Sequence, residues 1–466
     1  ISVAPYLSIT DQTADSYQAL LGAGAILEHH SDAARHDNDA TDAGGEDPQV
    51  IWRRLAAQTW DAPVVVTTAV QFFESLFSNR TSRCRKNHRI AKSVIILDEV
   101  QTLPVNLLDP MLDMLRLLIA HAGVSVVLCT ATQPAFERMQ SDVNLPSAFE
   151  LAPNPKAAFI ALKRVSYSWP DPDVTQSWDE IAGILDDEHQ VLAVMNTRKD
   201  ALTLLEKLDD SQALHLSTLL CPDHRRAVIA TIKDRLRQDD PCRVVATQVV
   251  EAGVDLDFPV VVRAIGPLDR IVQAAGRCNR EGELDGFGSM IVVNPAEGGV
   301  PSGVYRTATD LTKIVLREGE PDPDDPETMT RYFARLFKLA ETDHKKIQEA
   351  RRDWKFRKVA ELFRMIPDDG VTIIVPYLPS GVRESPAVEL RKEVLESLKW
   401  RGFMPRKVAD RVQAFSVSVP WRVANAAINT GLAEELTEGL AYWNGRYHPV
   451  RGIDLNESPS DGLFLV

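Results

Sequence analysis

What this 466-residue chain lacks narrows it before any motif is read. Its five cysteines, Cys84, Cys129, Cys221, Cys242 and Cys278, lie far apart with no C-x-x-C pair. That fits neither a zinc site nor a disulfide framework, and a reducing cytoplasm is the simplest home. No run of 18 apolar residues occurs; the most apolar region, Leu103 to Ala122, is interrupted by Asp109, Asp113 and Arg116 and reads as a packed helix, so no membrane association is expected. Gly 24 and Pro 28 are too few for a collagenous or low-complexity chain. The first ten residues, opening on Ile1, have neither the basic nor the long apolar region of a signal peptide, and a missing N-terminus is expected. With a net charge of −14, bulk attraction to nucleic acid or anionic lipid is excluded, so any phosphate site must be local.

The composition that remains, 44% hydrophobic and 25% charged, is globular, and the length suggests about three domains. Short apolar runs at Val64–Val66, Val94–Leu97 and Val124–Cys129 alternate with helical patterns, and a second series follows at Val191–Met195, Arg243–Ala246, Val260–Val262 and Met290–Val293. Such runs read as buried parallel strands whose C-terminal ends carry the chemistry. The expected fold is therefore α/β, with two tandem parallel-sheet domains at 1–152 and 153–297. An acidic, proline-rich linker is expected at 298–330, because Glu318–Glu327 holds six acids and three prolines, and a helical segment with shorter elements at 331–466. Asp37–Asp47, with His29-His30 and His36-Asp37 nearby, reads as a solvated acidic loop; a His-Asp metal site would need further ligands that the sequence does not supply.

The sharpest local feature is Asp98-Glu99 at the end of the apolar run Val94–Leu97. There Asp98 can hold a magnesium ion through its water shell while Glu99 activates a water against a γ-phosphate. Taken alone, the pair reads equally as a turn and helix start. Thr130-Ala131-Thr132 follows the next strand, a small hydroxylated turn able to couple hydrolysis to movement, or simply a strand-end turn. In the second series, Thr247 to Asp255 places Gly253 near a helix start, and Gln273 to Arg280 sets Arg277 and Arg280 three apart. On a helix those guanidiniums share a face and reach one polyphosphate together; a surface salt-bridge pair is the plainer alternative. Two basic stretches remain: Arg80, Arg83, Arg85, Lys86, Arg89 and Lys92 without an acid between them, and Lys345 to Lys358 with Trp354 and Phe356 interleaved. The first suits DNA or a partner, and the second reads as a stacking surface or as a solvated helix face over a buried Trp.

The order of these segments resembles the two RecA-like, P-loop NTPase-type domains of superfamily 2 DExD/H-box helicases. LDEVQTLP at 97–104, VTTAVQFFESLF at 66–77, NTRKDA at 196–201, HLSTLLCPDHRR at 215–226 and the long segment 247–282 are similar to the CRISPR-associated helicase-nuclease of type I interference systems. RVQAFSVSVP at 411–420 and YHPVRGIDL at 447–455 resemble that family's accessory domain. The resemblance implies an ATP-binding hydrolase, a prokaryotic cytoplasmic motor moving 3′ to 5′ on single-stranded DNA in antiviral defence. Its partners would be an RNA-guided, Cascade-like surveillance complex and an HD nuclease domain, in cis or in trans. It would assign Asp98 to Mg2+, Glu99 to water activation, and Arg277 and Arg280 to the phosphates, with Arg280 as finger. Asp255 would lie near the ribose, with Gly253 and Gln273 beside the nucleotide. Pro5, Ser8, Gln12, Thr67 and Thr68 would contact the strand, as would Thr218, Arg225 and Thr247, while Thr130, Ala131 and Thr132 would couple the two events. A general RNA or DNA helicase or remodeller, and a non-catalytic single-strand-binding module, are the competing readings.

One element of such a motor is not in the sequence: no G-x-x-x-x-G-K-[ST] occurs, nor any Gly-Lys pair, and Gly298 to Gly303 is followed by Val304 and Tyr305 rather than the phosphate lysine. The family places that loop, and in many members the nuclease domain, ahead of the segment resembled by Ile1–Pro5, so both are expected to precede this chain and no nuclease-domain metal is expected within it. The chain by itself is then expected to show no DNA-stimulated ATP hydrolysis in a phosphate-release assay. Robust turnover abolished by Glu99→Gln would contradict that.

Overall fold

The computed structural model describes residues 1–30, 48–130, 132, 134, 136, 139, 143, 148–251, 253–366 and 370–455. The chain packs as two units: Ile1–Lys163 with Pro321–Ile366, and Arg164–Glu320 with Pro367–Val466. The acidic stretch Asp37–Asp47 and His36-Asp37 lie outside the described residues.

In the first unit, β1 (Ser2–Ala4), α1 (Leu7–Leu21), β2 (Ile26–His29), α2 (Pro48–Thr59), β3 (Val64–Thr68), α3 (Ala69–Leu76), α4 (Thr81–Cys84), α5 (Asn87–Ile90), β4 (Val94–Leu97), α6 (Leu108–Ala122), β5 (Ser125–Leu128) and α7 (Pro155–Ala161) follow in chain order. The strands form one parallel sheet, β2-β3-β1-β4-β5. Val, Ile and Leu fill them because a parallel strand is covered on both faces and has no solvent side to be polar on. Central β1 registers Val3 with Thr67 on one side and Leu97 on the other, so the ends of three strands lie side by side.

The second unit continues with β6 (Val165–Ser168), α8 (Trp178–Asp186), β7 (Gln190–Val194), α9 (Arg198–Lys207), β8 (Leu214–Leu216), α10 (Pro222–Gln238), β9 (Cys242–Ala246), β10 (Val260–Ala264), α11 (Leu268–Ala275), β11 (Gly288–Val293) and α12 (Val304–Glu318). Its parallel sheet runs β6-β11-β10-β7-β9-β8. The chain then returns to the first unit as α13 (Pro326–Leu339), α14 (Ile347–Arg352) and α15 (Phe356–Leu362). Finally, β12 (Gly370–Ile374), α16 (Pro386–Arg401), α17 (Arg406–Ala414), β13 (Ser416–Pro420), α18 (Trp421–Asn429), β14 (Ala433–Thr437), β15 (Leu440–Trp443), β16 (Tyr447–His448) and β17 (Gly452–Ile453) belong to the second unit. They build a mixed sheet, β13-β12-β15-β14, and a short antiparallel pair, β16 with β17.

Packing thus divides the chain differently from a linear reading. The segment taken as the start of a third region packs with the first unit: Phe363 stacks on Phe77 at 3.9 Å between centroids, and Arg351 pairs with Asp113 at 2.7 Å. Periodicity shows that a helix has an apolar face, but not which core receives it. The expected linker 298–330 also contains a full helix, α12, and Asp325 within its acidic run caps α13 by accepting from the Glu327 amide. The C-terminal elements are anchored beside β8 and α10. Tyr447 Oη accepts from the Cys221 amide at 3.2 Å and lies 2.9 Å from His224 Nδ1, and the Ile453 amide donates to Leu219 O at 3.0 Å. A Cβ at Gly452, where φ is +82°, would stand 2.2 Å from that same Leu219 oxygen, so only glycine fits.

His29 and His30 correct the solvated-loop reading, because both are structured. His29 ends β2 and its Nδ1 accepts from Trp60 Nε1 at 2.8 Å. Burial first, then the charge of Lys86 and neighbouring His30, push the His29 imidazole down to about 3. His30 is buried between Glu28 at 2.5 Å and Asp11 at 3.2 Å; burial opposes its charge, but bonds to Asp11 and Glu28 raise it to about 9. A base whose folded pKa is raised stabilises fully below its unfolded pKa of about 6.5, and that contribution disappears as pH climbs through 9. His30→Gln is therefore expected to lower the urea midpoint more at pH 6 than at pH 9.5; an equal or reversed difference would contradict the pairing.

Candidate functional site

At the end of β4 the backbone turns sharply. The Asp98 amide donates to Val3 O at 2.9 Å, fixing it to central β1, and Glu99 takes φ 47°, ψ 47°, the left-handed region that costs a non-glycine residue about 1–2 kcal/mol. Strain of that kind persists only where surrounding contacts hold it. Here the Glu99 amide donates to Asp98 Oδ1 at 3.0 Å, and Thr102 Oγ1 donates to Glu99 O at 2.7 Å. Gln101, 7% exposed, donates through Nε2 to Glu99 Oε2 at 2.5 Å and accepts at Oε1 from Thr130 Oγ1. Thr130 Oγ1 also lies 2.8 Å from Thr132 O and accepts from the Thr132 amide at 3.0 Å. Glu99, Gln101, Thr130 and Thr132 therefore form one hydrogen-bonded chain between the ends of β4 and β5; Ala131 lies outside the described residues. Gln101 is the residue that sequence reasoning passed over, although it stands two places after Glu99.

Burial pushes the Asp98 carboxyl up from its ordinary value, opposed by the Glu99 amide. Among the described residues no basic side chain pairs with it. An oxygen donor in that position suits a hard cation held through water.

The residues expected on a bound strand divide by exposure. Pro5 is half-buried in the bend after β1, and Gln12 is exposed on α1; Ser8 also lies on α1. Thr67 is fully buried and donates to His29 O at 2.7 Å, whereas Thr68 caps α3 by accepting from the Gln71 amide at 3.2 Å. Their hydroxyls are thus engaged in internal bonds, as strand-end capping would have them. In the second unit Thr218 is exposed, Arg225 is half-buried, and Thr247 is buried with its amide donating to Leu216 O at 3.0 Å. Burial lowers the Arg225 guanidinium, with Cys221 and Tyr447 acting in the opposite sense.

Arg277 and Arg280 do not share a helix face: α11 ends at Ala275, and Gly276 and Asn279, the latter at φ 45°, break the register. Arg277 instead donates to the carbonyls of Val250 and Glu251, each at 3.0 Å. Arg280 meets Asp255 at 3.1 Å, bringing together two of the predicted residues, and its amide donates to Asp257 Oδ1 at 2.7 Å. Gly253 has φ +74°, a left-handed turn beside them, and Gln273 accepts from Arg270 at 3.1 Å. Beneath lies a second network missed in sequence. Arg263 and Glu251, 0% and 1% exposed, pair at 2.9 Å, and Arg263 also donates to Asn196 Oδ1 at 2.7 Å and Tyr305 Oη at 3.0 Å.

In the first basic stretch half of the cations are taken up internally, and in the second the buried-Trp alternative does not hold. In the first, Lys86 is buried over the Trp60 ring at 5.0 Å, Arg83 pairs with Glu74 at 3.1 Å, and Arg89 pairs with Asp61 at 2.8 Å. In the second, Trp354 is not buried but 77% exposed, edge-on to Phe356 at 5.8 Å.

Two parallel sheets of this kind, with a mixed C-terminal sheet in the second unit, have the fold of two RecA-like domains with an accessory region. The family described as "CRISPR-associated nuclease/helicase Cas3, C-terminal" matches residues 187–283. The CRISPR-associated nuclease/helicase Cas3 of Haloferax volcanii is 26% identical over 390 residues, covering 62% of this chain and 42% of that protein. The crystal structure of T. fusca Cas3-ATP matches with a TM-score of 0.60 at 16% identity, over 97% of this chain and 64% of that one. A CRISPR RNA-guided surveillance complex in a pre-nicking state matches at 0.51 and 17%, over 97% and 67%. The chain is thus similar to CRISPR-associated Cas3 nuclease/helicases, and it spans under half the length of that Haloferax protein. No described helix is long and apolar enough to cross a membrane.

Removing one member of the buried Arg263–Glu251 pair leaves an uncompensated charge. Arg263→Met is expected to destabilise the second unit by about 3–5 kcal/mol. Adding Glu251→Leu should recover most of that loss in urea unfolding.

Proposed function

We propose that this chain supplies the motor core of a type I CRISPR interference helicase, an ATP-driven translocase moving 3′ to 5′ on single-stranded DNA. The observation that carries the reading is the chain Glu99–Gln101–Thr130–Thr132, which ties the proposed water-activating carboxylate to the next strand's end. In this reading Glu99 takes the proton of the attacking water, and Gln101 holds the carboxylate oxygen in place. Any rearrangement of Glu99 on phosphate release is passed to Thr130 and its turn. Asp98 would hold Mg2+, which when bound neutralises charge developing on the phosphates. Arg280 serves as finger and Arg277 as a phosphate contact, with Asp255 keeping the Arg280 guanidinium aimed. Gln12, Thr218 and Arg225 are the side chains best disposed to contact the strand, since they are at least partly accessible. The partners are a Cascade-like surveillance complex and an HD nuclease in cis or trans, and the location is the prokaryotic cytoplasm.

The test joins residues 1–466 behind a phosphate-binding loop and measures ATP turnover with single-stranded DNA. Glu99→Gln is expected to reduce turnover about 100-fold or more, the size of a general-base contribution, while sparing DNA binding. Arg280→Ala should behave in the same way. Near-wild-type turnover in either variant would overturn that residue's role.

A further inference from the structure

The turn between α16 and α17 gathers exposed cations in an otherwise acidic chain. Residues 397–409 contain Lys399, Arg401, Arg406 and Lys407 and no acid. All four are exposed, and among the described residues none lies in an ion pair. That sets them apart from Arg83, Lys86 and Arg89, whose charges are paired or buried within the first unit. Arg406 and Lys407 also occupy the first turn of α17, where the helix dipole favours acids, so they do nothing for that helix's own stability.

Between the cations stand two large aromatics turned outward. Trp400 is 78% exposed and Phe403 is 61% exposed, separated by Arg401 and by Gly402 at φ +70°. Lys399 Nζ sits 5.2 Å from the centroid of the Trp400 ring, a contact made on the protein surface rather than in a core. An aromatic in so open a position buries little apolar area in the folded chain, and ordinary packing gives no reason for it. Flat π-faces beside unpaired cations match one class of polymer, a single strand of nucleic acid, whose bases stack while its phosphates are neutralised. A duplex offers phosphates but no free base faces, and an acidic protein offers charge without flat faces.

We propose that Trp400 and Phe403, with Lys399, Arg401, Arg406 and Lys407, form a sequence-tolerant binding site for single-stranded nucleic acid on the accessory region. The site rests on the single-strand reading above and adds a second contact point to it.

The test is fluorescence anisotropy of the whole chain with labelled dT20, rU20 and a 20-base-pair duplex across a salt series. Trp400→Ala with Phe403→Ala is expected to weaken dT20 or rU20 binding about 10- to 100-fold, as the loss of one or two stacked bases predicts, and to leave the duplex unaffected. Trp400→Phe should restore most of the binding that Trp400→Ala alone loses. Arg406→Glu with Lys407→Glu should lower the slope of log affinity against log salt by about 1.4, for two lost single-strand phosphate contacts. These side chains are exposed, so an unchanged circular dichroism melt is expected in every variant. Unchanged dT20 and rU20 affinity and slope would overturn this site while leaving single-strand binding elsewhere intact. Failure of the unmodified chain to bind either oligonucleotide would overturn the single-strand reading as well. Normal oligonucleotide binding with lost affinity for a purified surveillance complex would assign the patch to a protein instead.

Discussion

The geometry of the first unit depends on one backbone residue held in the wrong half of conformational space. Glu99 pays for its left-handed turn with bonds from Thr102 and to Asp98, and the turn aims its carboxylate at Gln101 instead of continuing the strand. Because Gln101 holds Glu99 with its nitrogen and Thr130 with its oxygen, the two strand ends cannot shift independently. The strain and the network are therefore one device, in which the contacts on the β5 side help to keep the β4 turn in place.

The second unit uses burial where the first uses strain. A guanidinium fully removed from water at Arg263 would be costly without partners, and Glu251, Asn196 and Tyr305 supply them from three different segments. Glu251 is consequently pinned by its side chain while its carbonyl accepts from Arg277. The position of Arg277 is thus set by a carboxylate it does not itself pair with. Arg280 is positioned more openly, by Asp255 against its side chain and Asp257 against its amide, and is the more exposed of the two arginines. The C-terminal elements add a further anchor, because Tyr447 and Ile453 bind the loop that presents Thr218 and the start of α10, where Arg225 lies.

The buried strands were legible because their signal is local: β3, β4, β5, β7, β9, β10 and β11 all fall on the Val- and Ile-rich runs. β1 and β8 are only three residues long, and in β2 and β6 polar residues interrupt the apolar run, so none of the four stood out. The carboxylates Asp98 and Glu99 were legible as types at a strand end, but their network was not, since no spacing rule connects Gln101 to Thr130. The Arg277–Arg280 pair was misplaced onto a helix because i and i+3 spacing says nothing about where a helix stops, and Gly276 stopped it. His29 and His30 were misread for a related reason. Next to an acidic stretch they look solvated, but His29 closes the parallel strand β2 against Trp60 and the bend at His30 carries the next ring to Asp11 and Glu28. The return of α14 and α15 to the first unit was equally hidden, because only the cavity between Phe77, Asp113 and α6 reveals where their apolar face belongs.

Charge shows most clearly why counting residues is not enough. The net −14 correctly removes bulk electrostatic binding, yet it conceals that cations of one sequence type have three separate fates. Lys86 is drawn inward, where burial and Arg83 lower its ammonium to about 8 and the Trp60 face receives it. Arg83 and Arg89 are neutralised by carboxylates from neighbouring helices or turns. Where neither a core nor an acid takes up the charge, as at Arg80, Arg85 and Lys92 and again between Lys399 and Lys407, positive charge remains available to an outside partner. The basic run of six in sequence thus keeps Arg80, Arg85 and Lys92 exposed while Lys86 is buried and Arg83 and Arg89 are paired, and it is the packing around each cation, rather than the tally, that decides where a polyanion can bind.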